Sequence, residues 1–291
     1  MNPNTSPLYA GISGLQLEAE SFELGQGVTL SKTFAHVMAP FLIAFAPANP
    51  GEPHPGPWSA VSGGLGYDIH VQLLVPADFA RPQWFSRLNT VWWLVALLRL
   101  KASSVAIVPV VSHSPFAKIP TAEQQAKFWP IEVGHHRLLV EDLSTTLSEY
   151  DLEWVKKYWI QGGDLMSESD DLNAAFQAFD NSLKGGRPST SLMMLWGAIE
   201  QLFSPAKQEL RFRISATLAA FLEPPGVDRL SLHKRIVKLY DERSKVAHGA
   251  GDGEYKALAD TYTLLKRAFI KIIEDGHVPT RDELDASLFG C

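Results

Sequence analysis

The chain has 291 residues, 46% of them hydrophobic and 20% charged, which is enough for one large or two ordinary globular domains and excludes a disordered chain. A formal net charge of -6 excludes a protein that coats nucleic acid without specificity. The single cysteine, Cys291, excludes disulfides within the chain and any cysteine-based zinc site, and it suits a reducing cytoplasm, which is the expected location.

The first residues, Met1-Asn2-Pro3-Asn4-Thr5-Ser6-Pro7, lack a basic start followed by an apolar run, so no secretory signal is expected there. Short β-type runs follow at Gly27–Ser31, Asp68–Val75, Val105–Val111 and Arg137–Glu141, separated by turn-rich pieces. The segment Pro47–Pro57 reads as an exposed loop, because its prolines remove donors that a strand or helix needs. Gly63-Gly64-Leu65-Gly66 has closely spaced glycines but no following lysine and Ser/Thr pair, so it reads as a turn before the Asp68 strand rather than a phosphate loop. A helix is expected from Pro82 to Lys101, covering a sheet face. Its apolar stretch Leu88–Leu98 falls far short of the roughly 20 residues of a membrane span, and no membrane partner is expected. His135 and His136 are adjacent, and adjacent strand residues point to opposite faces, so a shared metal is not expected.

The texture changes at Gly162-Gly163-Asp164 and the acidic, cap-rich run Ser167–Asp171. This divides the chain into a mixed α/β domain over 1–163, read as a sensor or regulatory region, and an all-α domain over 164–291. Helices are predicted at Asp171–Leu183, Thr190–Phe203, Ala206–Leu222, Asp228–His248 and Glu254–Glu274. The breaks between them are Gly185-Gly186 with Pro188, Pro205, Pro224-Pro225-Gly226 and Gly249-Ala250-Gly251. Short connections between consecutive helices predict an antiparallel bundle.

Charge concentrates in that bundle. Lys207–Lys245 holds nine Lys/Arg against five Asp/Glu, a local +4 that leaves -10 on the rest of the chain. A local basic region on an acidic protein suits a discrete phosphate site, and equally a salt-bridged helical surface.

The run Tyr240-Asp241-Glu242-Arg243-Ser244-Lys245-Val246-Ala247-His248-Gly249 supplies candidate chemistry. On an ideal helix Arg243 falls within the apolar stripe of Ile236, Leu239, Tyr240 and Ala247, so it must snorkel, pair with an acid or face another surface. His248 precedes Gly249, a natural helix-ending glycine, and lies at the negative end of the helix dipole. A histidine can move protons in phosphodiester cleavage and an arginine can neutralise charge on the phosphate. Ser244 and Lys245 add a hydroxyl and a second cation, and Asp241 lies two turns before His248. Arg243 and His248 diverge by about 140° on an ideal helix. They converge on one substrate only if the helix end unwinds at Gly249 or if a second copy supplies the partner groups. Glu200, at the edge of the apolar face formed by Leu192, Trp196, Ile199 and Phe203, is a candidate ion-pair partner for Arg213 or Arg243. Arg211 and Arg213 are candidate phosphate contacts.

The stretch from Ser191 to Gly249 resembles the Apea-like branch of the HEPN superfamily (higher eukaryotes and prokaryotes nucleotide-binding domains). Three segments carry the resemblance: Leu195–Phe203, then Arg211–Ser215 with Ala219–Leu222, and Leu239–Gly249, where an arginine, a polar residue, three further residues and a histidine match the family motif. The resemblance implies a HEPN bundle of four to five helices that dimerises along its motif helices. It also implies a metal-independent, cofactor-free endoribonuclease of antiphage or toxin type. In such a dimer two Arg243 and two His248 side chains form one cleft for RNA, attack comes from the substrate's own 2′-hydroxyl, and a partner or trigger protein is expected. Many active members have asparagine where this chain has Ser244. The alternative is a catalytically silent HEPN module that binds a partner, nucleotide or nucleic acid.

Overall fold

The computed structural model describes residues 6–79, 86–121, 126–132, 134, 138, 140, 145–184, 186–203, 210–248 and 255–290, without the side chains of 39–42 and 60–65. The chain forms two compact units, Met1–Ala80 with Ala106–Val133, and Arg81–Val105 with Gly134–Cys291.

The first unit is built on an antiparallel sheet. Its strands are β1 (Leu8–Ser13), β3 (Ser21–Gly25), β4 (Val28–Ala44), β5 (Trp58–Val75), β6 (Ile107–Ser112) and β7 (Phe128–Pro130), with the two-residue β2 (Gln16–Leu17) after β1. The six run in the order β3-β4-β5-β1-β6-β7. The predicted alternation in β5 sets one face from Val71 onward: Val71, Leu73 and Val75 are fully buried, with Ala10 and Ile12 of β1 beside them on the central strands. Ile69, Val110 and Phe116 form a second cluster on the other face of the sheet, over Gly11, against which Ala35, Val37 and Ile119 pack, so the 3-10 turn Phe116–Thr121 covers that face. Gln72, on the opposite face of β5, is buried because its Oε1 accepts the Phe116 N–H at 2.8 Å.

Two strands are longer than predicted. The glycine run at 63–66 is not a turn but lies inside β5. There the register jumps from Pro40 opposite Gly64 to Phe41 opposite Val61, leaving residues 62 and 63 unmatched. A glycine run in a strand marks such a bulge, and proline within a strand is tolerated at one. The proline-rich segment 45–57 is the connection between β4 and β5, as predicted. The expected strand at 137–141 lies largely outside the described residues, as does the His135-His136 pair.

The second unit is helical: α1 (Arg87–Lys101), α2 (Glu149–Glu168), α3 (Asp170–Ser182), α4 (Pro188–Phe203), α5 (Leu210–Leu222), α6 (Val227–Ala247), α7 (Tyr255–Asp275) and α8 (Arg281–Phe289), with the two-residue β8 (Thr146–Leu147) before α2. Five of these correspond to the helices predicted after 164. The expected bundle of four to five helices is corrected to eight α-helices among the described residues. Pro188 occupies the first position of α4, where its missing N–H costs nothing.

Two sequence readings change for one reason. α1 belongs to the helical unit. It is buried around most of its circumference. Its Trp93 donates through Nε1 to the Trp159 carbonyl of α2 at 2.7 Å, and Arg99, 1% exposed, is held by Asp180 of α3 at 3.0 Å. The boundary expected at 163/164 falls inside α2, which starts at the Ser148 cap and runs unbroken through Gly162-Gly163 to Glu168. These glycines do not break the helix; they let it pack. A Cβ at Gly162 would lie 2.9 Å from Trp93 Cζ2 and 3.5 Å from Ile273 Cγ2. The core of the unit gathers on α7, where Phe269 meets Phe176 at 5.1 Å and Phe179 at 5.2 Å, and Tyr262 stacks on Phe179 at 4.6 Å.

α8 closes with a reciprocal cap. Thr280 Oγ1 accepts the Glu283 N–H, while Glu283 Oε2 accepts from the Thr280 N–H, the Thr280 hydroxyl and His277. His277 first, then the two Thr280 donors, hold the Glu283 carboxyl down to about 2. The folded value lies below the ordinary 4.5, so the stabilisation is fully present above that value and is lost as pH falls through about 2.

Gly162→Ala is therefore expected to destabilise by up to about 2 kcal/mol in urea denaturation, because overpacking against the pinned Trp93 outweighs alanine's helix preference of about 1 kcal/mol. Glu283→Gln should flatten the fall in thermal stability between pH 4.5 and 2 relative to wild type; parallel slopes in that interval would contradict the cap assignment.

Candidate functional site

Glu200, Asp241 and Arg243 lie where α4, α5 and α6 pack. Trp196 of α4 and Tyr240 of α6 meet edge to face, with ring centroids 5.3 Å apart at 88°. One helical turn further along α4 is Glu200, and three residues further along α6 is Arg243. The ring contact thus brings these two together, with Arg243 Nη2 2.8 Å from Glu200 Oε1. The Arg243 guanidinium also lies over the Tyr240 ring, 5.6 Å from its centroid. The side chains are 22% and 27% exposed, so the arginine sits at the rim of the apolar stripe rather than in solvent. The ion pair is close but off line for hydrogen bonding. Glu200 Oε1, Arg243 Nε and Trp196 Nε1 are all enclosed without a hydrogen-bond partner among the described residues.

A second ion pair joins α5 to α6. Arg211 donates through Nε and Nη2 to the two Asp241 carboxylate oxygens at 2.7 and 2.6 Å. The Arg211 fork holds the Asp241 carboxyl below the usual carboxylate range, and Asp241 in turn raises the Arg211 guanidinium. Asp241 is therefore committed to Arg211. Lys245 donates to Glu242 at 2.6 Å, one turn away on the same helix. Arg213 is exposed on α5; of the two cations expected for Glu200, it is Arg243 that pairs.

α6 stays helical through Ala247, and His248 caps it with φ -95° and ψ 11°, its N–H donating to the Ser244 carbonyl at 3.2 Å. The helix does not unwind before His248; Gly249 lies outside the described residues. Arg243 and His248 of one chain therefore leave α6 about 140° apart. His248 and Ala247 are exposed, although the buried stripe of α6 runs from Leu232 through Ile236 to Leu239. The stripe is covered between Leu232 and Leu239, and Ala247 beyond it is exposed.

The sequence reading did not single out Phe212. It is 60% exposed, lies edge-on to His233 at 5.7 Å, and with Leu210, Arg211 and Tyr240 it lines an open hollow of about 550 Å³. An aromatic side chain between two arginines, Arg211-Phe212-Arg213, was the available signal. Among the described residues no cluster of three or more metal-ligating side chains occurs, and no helix is long and apolar enough to cross a membrane. Comparison with protein-family models, with curated proteins and with solved structures finds no match to this chain.

The Glu200–Arg243 contact is expected to carry measurable coupling. Glu200→Gln and Arg243→Met should each destabilise by about 1–2 kcal/mol, with a double-mutant coupling of about 0.5–2 kcal/mol in denaturant titrations. Strict additivity would show that the two helices pack without it.

Proposed function

We propose that the helical unit is an Apea-like HEPN domain acting as a metal-independent endoribonuclease, a defence effector of antiphage or toxin type, with its site completed by a second copy of the chain. The observation that carries this reading is the end of α6. A guanidinium is gripped at the rim by Glu200 and Tyr240, and an exposed histidine leaves the same helix on another face. One chain cannot aim both at one phosphate, whereas two copies related by a twofold axis can. Ala247, exposed in the line of the apolar stripe, gives the second copy a surface to cover.

In this reading Arg243 neutralises charge on the scissile phosphate. His248 takes the proton from the 2′-hydroxyl as that oxygen bonds to phosphorus. The partner's His248, protonated, gives a proton to the departing 5′-oxygen as the phosphorus–oxygen bond breaks. The products are a 2′,3′-cyclic phosphate and a 5′-hydroxyl. Ser244, Lys245 and Arg213 are RNA contacts, and Glu200 and Asp241 hold the cations in place. The sheet unit is the sensing or regulatory part, answering to a trigger or partner protein.

The ion pairs themselves favour a second reading. Arg243, Arg211 and Lys245 each already have a carboxylate, as cations do in a module that binds without cutting. Total cellular RNA incubated with the protein in excess chelator separates the two. Wild type should leave cyclic-phosphate ends, while His248→Ala and Arg243→Ala should each be slower by about 10²–10⁴-fold. RNA bound but uncut by wild type, in the presence of cell extract as a source of trigger, supports the silent module.

A further inference from the structure

A groove of about 550 Å³ lies within the helical unit between α1, α2 and α3, and none of the residues of the candidate nuclease site lines it. Its floor is apolar and rigid. Gly163 contributes no side chain, Met166 and Phe176 are buried, and Phe176 is fixed edge to face against Trp93 at 5.2 Å. Its wall carries Trp92, half-buried on α1 next to the buried Trp93.

The opposite wall is organised by a carboxamide pair on successive turns of α3. Gln177 Nε2 donates to Asn173 Oδ1 at 2.7 Å. That bond consumes one donor hydrogen and one acceptor lone pair and fixes both amides. The Asn173 amide nitrogen is left as a donor and the Gln177 carbonyl oxygen as an acceptor, both on residues that line the groove. A neighbouring donor and acceptor match the neighbouring acceptor and donor on the edge of a nucleobase. The indole across the groove supplies the flat surface on which such a ring stacks.

The charge of the rim selects further. Lys184 lines the groove, but its ammonium lies 3.5 Å from Asp180, whose carboxylate also holds the buried Arg99. Asp170 adds a second carboxylate at the rim. A phosphate would meet two acids and a committed lysine. Lys184 Nζ also lies 5.6 Å from the Trp92 ring centroid. A flexible side chain already rests on the indole face, and a flat ligand displaces it, exchanging a weak cation–π contact for a ring stack.

We propose that this groove binds an uncharged nitrogen heterocycle of the nucleobase or nucleoside class, stacked on Trp92 and read at its edge by Asn173 and Gln177. The site is independent of the nuclease reading and of RNA cleavage.

Saturation-transfer NMR on the full chain tests it, with adenosine, guanosine, cytidine and uridine as probes and their 5′-monophosphates in parallel. At least one nucleoside should receive saturation strongest on its ring protons, and its monophosphate should bind at least fivefold more weakly. Trp92→Ala should reduce the signal at least fivefold, Trp92→Phe should retain most of it, and the exposed-site variant Gln177→Ala should change the order of preference among the four bases. Circular dichroism verifies that each variant is folded. No saturation of any of the four nucleosides by wild type would overturn the proposal, as would signals unchanged in both Trp92→Ala and Gln177→Ala, or monophosphates bound more tightly than nucleosides.

Discussion

The buried contact between Arg99 and Asp180 governs the plan of this chain. A guanidinium that is 1% exposed must meet a carboxylate, because removing an isolated charge from water costs several kcal/mol. Arg99 belongs to α1 and Asp180 to α3, so the contact ties an early helix to one formed some eighty residues later. The segment between them contains β6 and β7, which belong to the sheet. The chain therefore enters the helical unit with α1, returns to finish the sheet, and re-enters the helical unit. The Trp93 indole donating to the Trp159 carbonyl and the bare Gly162 surface beneath the same indole reinforce this arrangement.

Between α4 and α6 the same logic operates nearer the surface. Trp196 against Tyr240 sets the relative position of α4 and α6, and the ion pair of Glu200 and Arg243 follows from that position because each residue lies about one turn beyond its ring. Arg243 is held by its surroundings on two sides, one charged and one aromatic. The enclosed Arg243 Nε and Glu200 Oε1 have no hydrogen bond among the described residues, so the ion pair is not fully satisfied there. Such atoms are costly to leave unsatisfied.

Much of this was legible in the sequence. Periodicity and glycine or proline stops located α3 to α7 to within a few residues, and the alternation in Asp68–Val75 identified a strand. An arginine in an apolar stripe had to snorkel, pair with an acid or face another surface; it pairs with Glu200, which was among the candidates. What failed had a common cause. Glycines were read by their local freedom, so Gly162-Gly163 became a boundary and Gly63-Gly64 a turn. In each case a distant constraint decides: a tryptophan from α1 in the first, the register of β4 in the second. The bidentate grip of Arg211 on Asp241 was likewise invisible, since its partners lie on separate helices and neither is buried enough to announce a need.

The interrupted path of the chain also bears on how it is made. α1 carries Val91–Leu100, nearly all apolar, and α7, which completes the core around Phe269, is encoded roughly 170 residues later. At ribosomal speeds of about 5–20 residues per second, that helix waits on the order of ten to thirty seconds for its final neighbours. During that interval its greasy surface is available to whatever else is in the cell, so the burden of keeping the nascent polypeptide productive falls on the earliest-made helix rather than on the segment that carries the candidate chemistry.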